Sequence, residues 1–191
     1  MVEPLLYLAS QSPRRRELLA QINLTFEVIK VDVDETRLPN ETSQDYVMRL
    51  AKEKAYAGTA IVKRNRPVLG ADTIVTLDGQ IYGKPANQGD ALRMWQHLAG
   101  QTHQVLTAVA IVAGDRCEQC LVQTRVQLCQ ASEAQWRTYW KSGEPKDKAG
   151  GYAIQGKGAV FVQNIEGSYS NVVGLPLYET AQLLARIGIS L

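Results

Sequence analysis

The sequence predicts an α/β protein with a mixed twisted sheet and flanking helices. Three observations lead there. Short apolar runs alternate with segments of helical periodicity through the first half of the chain, the pattern of strands joined by crossover helices. Hairpin signals then interrupt that alternation, so some strand neighbours are antiparallel and the sheet is not purely parallel. Finally, 191 residues with 45% hydrophobic content can bury one sizeable core, as one domain or one domain with two lobes.

Each element has its own local reason. "LLYLAS" (5–10) is an apolar run ending in small residues, which suits a buried strand. Residues 13–22 follow as a helix with Leu18, Leu19 and Ile22 on one side. "FEVIKVDVDE" (26–35) alternates and then turns acidic, so a strand is expected to run into a polar loop. Thr42 or Ser43 caps a helix over about 43–63, where Val47, Leu50, Ala51, Lys54 and Ala55 follow helical spacing. "VLGADTIVTL" reads as a strand interrupted by Gly70. "DGQ" is a turn, and "IYGKP" returns as a short second strand.

A helix over 87–99 carries Leu92, Trp95 and Leu98 on one face, and Gly100 suits its C-terminal cap. Residues 102–113 and 119–129 form a long hairpin across "GDRCEQC", and Ser132 opens a helix over 132–142. The Gly-rich stretch 147–177 holds short strands near 151–154 and 159–165, and 176–187 closes the chain as a helix.

Composition excludes several classes. The net charge is only +2, without the basic excess or tail of a general nucleic-acid binder. No run approaches about 18 consecutive apolar residues, so no spanning helix and no membrane role are expected. The N-terminal "MVEPLLYLAS" lacks the basic start and the long apolar core of a signal peptide, which leads to the expectation of a cytoplasmic protein. Three cysteines do not make a disulfide scaffold. "CEQC" has no second ligand pair to complete a zinc site, so Cys117 and Cys120 are read as incidental thiols. His97 and His103 fit structural roles, and no Walker loop, dinucleotide fingerprint or nucleophile elbow is present.

The chemistry concentrates elsewhere. In "LASQSPRRRELL" (8–19), Arg14, Arg15 and Arg16 sit at the start of a helix, whose dipole and free amides already attract anions. Such an arrangement is unfavourable empty and favourable when phosphate fills it. Successive helical residues diverge by about 100°, so Arg14 and Arg15 are placed nearest the anion and Arg16 on the surface. The alternative is a solvated basic turn beside Glu17.

Asp72 lies inside the apolar "LGADTIV", where an unpartnered carboxylate is expensive. Its candidate roles are metal ligand or general base, against a turn aspartate beside Gly70. Among Asp32, Asp34 and Glu35, Glu35 is favoured on position to share a divalent cation with Asp72; otherwise the cluster is solvated surface. Lys54 on a largely apolar helix face is either snorkelling or aimed at an anion. Lys84, held between Gly83 and Pro85, is a candidate phosphate contact. Gln155 has the donor and acceptor needed to read a base edge, or is polar surface. Together these residues favour metal-assisted hydrolysis of a phosphorylated small molecule.

The motifs "LASQSPRRRELL", "VDVDET", "LAKEKA", "VLGADTIV", "GKP", "GQTHQVLTAVAI" and "DKAGGYAIQGKGAVFV" with "VVGLPL", in this order, resemble the Maf family of nucleoside triphosphate pyrophosphatases over essentially the whole chain. The resemblance implies one Maf-like domain over 1–191, akin in fold to inosine triphosphate pyrophosphatases, with two lobes around a cleft. It implies a cytoplasmic enzyme that cleaves between the α- and β-phosphates with Mg²⁺ or Mn²⁺, and a homodimer. Carried over by motif, Ser10, Arg14 and Arg15 bind phosphate, Lys54 and Lys84 contact phosphate in catalysis, Asp72 accepts the proton, and Glu35 with Asp72 serves the metal. "ADTIV" and "YAIQG" look like the branch acting on dTTP and UTP, with Arg14, Thr73 and Gln155 as its specificity positions. The rivals are a 7-methyl-GTP pyrophosphatase and a non-catalytic nucleotide sensor of cell division.

Overall fold

A computed structural model describes residues 3–63 and 65–191. Its strands, in chain order, are β1 (Leu6–Leu8), β2 (Phe26–Val28), β3 (Val68–Leu77), β4 (Gln80–Tyr82), β5 (Thr102–Ala113), β6 (Arg116–Leu128) and β7 (Val162–Glu166). Its helices are α1 (Pro13–Gln21), α2 (Ser43–Ile61), α3 (Gln88–Leu98), α4 (Glu133–Lys141), α5 (Tyr169–Val173) and α6 (Leu177–Arg186). Hydrogen bonding orders the strands β2-β1-β3-β5-β6-β7, with β4 branching from β3. β1 pairs in parallel with both β2 and β3, whereas β3–β4 and β6–β7 are antiparallel. The sheet is mixed, as the sequence predicts.

The chain forms two compact units. The first comprises residues 1–72, 107–122 and 174–191, and the second 73–106 and 123–173. In the first unit, α2 lies against the parallel strands. Val47, Leu50, Ala51 and Ala55 are buried on its inner face, and Thr42 caps it by accepting from the Asp45 amide. Two glycines allow the close approach. A Cβ on Gly58 would meet Val68 Cγ1 at 2.6 Å, and one on Gly70 would meet Ala51 O at 2.3 Å and Ala55 N at 2.5 Å.

The second unit is built around aromatic rings. Trp95 of α3 stacks on Trp136 of α4 at 4.8 Å between centroids, and Trp136 stacks on Phe161 at 4.1 Å. Tyr82, Tyr139 and Tyr152 complete this core.

The strand that opens 26–35 is short, Phe26–Val28, and the acidic stretch after it is irregular loop as expected. Several expectations are corrected. Gly70 does not interrupt its strand: β3 is continuous, and the glycine is there for helix contact rather than for a break. The turn of the long hairpin is confined to Gly114 and Asp115, so Cys117 and Cys120 lie on β6 rather than in a loop. No strand forms at 151–154. Gly150, Gly151 and Gly156 take positive φ and bend that segment, and β7 begins only at Val162, after a 3-10 turn over Gly156–Phe161. The short helix α5 has no counterpart in the sequence prediction.

Candidate active site

The first unit gathers five of the singled-out residues. Asp72, 8% exposed, stands on β3 two residues beyond Gly70. Lys54 reaches it from the facing α2, and its Nζ donates to Asp72 Oδ1 at 2.7 Å. The same Nζ lies 2.7 Å from Glu35 Oε1, so one ammonium joins two carboxylates. Lys54 is thus aimed at anions rather than snorkelling to solvent. Glu35 stays more than half exposed, and its backbone is fixed because Tyr46 Oη donates to its carbonyl at 2.8 Å.

Ser10 follows the C-terminal end of β1 and is buried. Its Oγ accepts from Arg15 Nη1 at 3.0 Å and from the Ser12 amide at 3.3 Å. Arg15, 9% exposed, also donates through Nε to the Gly174 carbonyl at 2.8 Å, 159 residues away in sequence. The three arginines therefore differ in kind: Arg15 is buried, Arg14 half-buried and Arg16 exposed. The helix start carries no acid in its first turn, and the Ser12 side chain caps nothing. An α-helix leaves its first amides without intrahelical partners, and here cations rather than anions flank them.

Burial sets the electrostatics. It raises the Asp72 pKa above the usual carboxylate value, and the charges of Lys54 and Arg15 offset it only in part. Burial also lowers the Arg15 pKa, while Asp72 and Glu35 push it back up. The centre holds a carboxylate made more basic by its surroundings, an ammonium within reach and a guanidinium close enough to feel its charge. That set can take a proton from water and neutralise an incoming polyanion.

Arg14 belongs to the first unit as well, whereas Thr73, Lys84 and Gln155 lie in the second. Thr73, half-buried, is the first residue after Asp72 on β3. Lys84 is exposed in the loop after β4, and Gln155 is half-buried just ahead of the Gly156–Phe161 turn. Sequence reasoning missed Gly174, whose carbonyl holds Arg15; "VVGLPL" marked the stretch but not the partner. Nothing in the sequence ties Cys117 or Cys120 to this centre, and burial pushes the Cys120 thiol up to about 11, away from thiolate reactivity.

The fold and centre define a class: a mixed-sheet α/β enzyme equipped to act on phosphoric anhydrides or esters. The chain belongs to the Maf family, since the family described as Maf-like protein matches residues 5–187. A dTTP/UTP pyrophosphatase of Pseudoalteromonas atlantica is 56% identical over 189 residues, covering 97% of this chain and 98% of that protein. A protein of the same name from Shigella sonnei is 53% identical over 180 residues, covering 94% and 91%. Among solved structures, the Staphylococcus aureus Ham1 protein is 13% identical with a TM-score of 0.44, covering 66% of this chain and 72% of that one.

Proposed function

We propose that the protein is a nucleoside triphosphate pyrophosphatase that hydrolyses dTTP and UTP to the monophosphate and pyrophosphate. The observation that carries this is the Lys54 ammonium joined to buried Asp72 and to Glu35, backed by Arg15 and Ser10 at an uncapped helix start. Near-full-length relatives at 50% identity and above carry the name dTTP/UTP pyrophosphatase, which supports the substrate pair.

In this reading, Asp72 takes a proton from a water whose oxygen attacks the α-phosphorus. The bond from that phosphorus to the α–β bridging oxygen breaks, and pyrophosphate leaves with the electron pair. Lys54 turns from its carboxylates to the phosphates, and Arg14, Arg15, Ser10 and Lys84 bind the growing charge. Such stabilisation is the main requirement of a phosphate-cleaving site. Arg14, Thr73 and Gln155 set the base preference.

Asp72 and Glu35 are oxygen donors of the kind a hard divalent cation takes, and magnesium sites commonly use one or two carboxylates plus substrate phosphates. Among the described residues, no three His, Cys, Asp or Glu side chains group to hold a metal without substrate. Mg²⁺ or Mn²⁺ therefore fits as an ion held jointly with the triphosphate, where it would supply charge neutralisation. The reading implies a cytoplasmic location, where its substrates are kept, and a homodimer, which sedimentation velocity checks.

The test is kcat/KM for pyrophosphate release from dTTP, UTP, CTP and 7-methyl-GTP, with each metal. The expected result is a preference for dTTP and UTP. A preference for 7-methyl-GTP overturns the substrate assignment. No release from any nucleotide, with binding retained, overturns catalysis in favour of a nucleotide sensor.

A further inference from the structure

The second unit holds a carboxylate that no part of the reaction above uses. Glu144 begins a 3-10 turn over Glu144–Asp147, just after α4. Its Oε1 accepts from Tyr139 Oη at 2.7 Å and from the Gly158 amide at 2.9 Å, and its Oε2 accepts from the Lys157 amide at 2.9 Å. Tyr139 Oη in turn accepts from the Ala153 amide at 3.0 Å. One pair of side chains thus grips the backbone two residues before Gln155 and two residues after it.

The segment between is shaped to that carboxylate. Gly156 has φ +69°, and a Cβ there would sit 2.5 Å from Glu144 Oε2. Gly158 is equally confined, its Cβ position lying 2.4 Å from both Tyr139 Oη and the Ala153 carbonyl. Tyr139 is itself locked into the aromatic core, 4% exposed. Burial disfavours the Glu144 charge, but the Tyr139 bond, the two amides and the Lys148 charge outweigh it and hold the pKa below its usual value. At neutral pH the clamp is an ionised acceptor facing three donors, the stronger kind of hydrogen bond.

We infer that Tyr139 and Glu144 are positioning residues for base selection, fixing the 153–158 loop so that the Gln155 amide meets the pyrimidine edge in register. This rests on the assignment of Gln155 as a base-reading residue. The physical need is specific. A glutamine amide carries both a donor and an acceptor, so it can serve uracil and thymine, which offer N3–H and O4, or cytosine, which offers N3 and an amino group. Hydrogen bonds weaken steeply when stretched or bent, so a loosely held amide loses discrimination between these bases. Among the described residues, no hydrogen bond to another side chain or to the backbone holds the Gln155 amide; its placement depends on the loop.

The test uses Glu144→Gln, Tyr139→Phe and Gln155→Ala, singly and combined. Glu144→Gln replaces one acceptor oxygen by an NH₂ group, which cannot receive a backbone amide. Tyr139→Phe removes the hydroxyl that receives the Ala153 amide and keeps the ring packing. The readout is the ratio of kcat/KM for dTTP over CTP, with folding checked by circular dichroism.

Each clamp variant is expected to lower that ratio about tenfold, the weight of roughly one hydrogen bond, with the larger part of the loss in KM for dTTP. Added to Gln155→Ala, neither is expected to lower the ratio further. A folded clamp variant that keeps the parent ratio overturns the inference, as does full additivity with Gln155→Ala. If Gln155→Ala alone keeps the ratio, the base-reading assignment fails first and the inference falls with it. Should Glu144→Gln not fold, Tyr139→Phe decides.

Discussion

Gly70→Ala is expected to damage the active site without touching any residue that contacts substrate. The new Cβ would stand 2.3 Å from Ala51 O, 2.5 Å from Ala55 N and 3.1 Å from Ala55 Cα, where ordinary contact starts near 3.4 Å. All three atoms are backbone of α2, so no side chain can swing aside. The helix must retreat from β3 by about 1 Å, and overpacking of this kind costs about 1–3 kcal/mol. Backbone on both sides puts the cost at the upper end. In a chain of this size, about 3 kcal/mol lowers Tm by roughly 6–12 °C.

Lys54 lies between Ala51 and Ala55 on the displaced helix, and its Nζ sits 2.7 Å from Asp72 Oδ1. A 1 Å error in placing a catalytic group can lower turnover about 10²-fold. The flexible lysine stem absorbs part of that error, so the expected loss in kcat is roughly tenfold to 10²-fold. Thermal melts followed by circular dichroism, with pyrophosphate release from dTTP, check both values. A variant that melts within about 2 °C of the parent, by the same Tm scaling, and keeps full turnover would refute the argument that backbone contact between α2 and β3 sets the site.

Other substitutions separate chemistry from stability. Asp72→Asn is expected to lower kcat about 10²- to 10⁴-fold, the usual weight of a general base, while Tm holds or rises. The sign follows from burial, which raises the folded-state pKa. Stability falls as pH rises from the unfolded value of 3.8 through the raised one, so at neutral pH the charged carboxylate costs stability that asparagine restores. Arg15→Met is expected to lose turnover and about 3 kcal/mol of stability, because the Gly174 carbonyl and Ser10 lose a charged donor. Urea melts should show Arg16→Ala, on the exposed side of α1, within about 0.5 kcal/mol of the parent.

His103, fully buried with Nε2 2.6 Å from Tyr152 Oη, has its pKa lowered by burial to about 4. The unfolded chain takes up that proton near 6.5. The His103 contribution is therefore complete above pH 6.5, shrinks as pH falls and is lost by about 4. The loss amounts to about 2 kcal/mol by pH 5, and His103→Gln should flatten that slope in urea melts across pH 4–7.

Much of the fold was legible. The extents of α1 to α4, α6 and β5 follow from hydrophobic periodicity and caps, which depend only on nearby residues. The misreadings share one cause. Gly70 looks like a strand breaker because its reason for being glycine, the backbone of α2, is far away in sequence. Residues 151–154 read as a short strand, yet the glycines around them serve a loop gripped by Tyr139 and Glu144. The sequence places Arg15 beside Arg14 as a phosphate contact; that the Gly174 carbonyl and Ser10 also hold it follows only from the fold.

The sequence by itself determined the chemical inventory: a basic helix start, a carboxylate in an apolar strand and a lysine on an apolar helix face, each recognisable because its local cost is unusual. Only the tertiary structure decided the pairings. Lys54 joins Asp72 and Glu35 because α2 packs on β3 at glycine distance, and Arg15 closes on Gly174 because burial leaves a guanidinium no water to turn to. Local patterns specify the elements through short-range sterics and solvation. Which charges meet depends on which faces the packed core brings together.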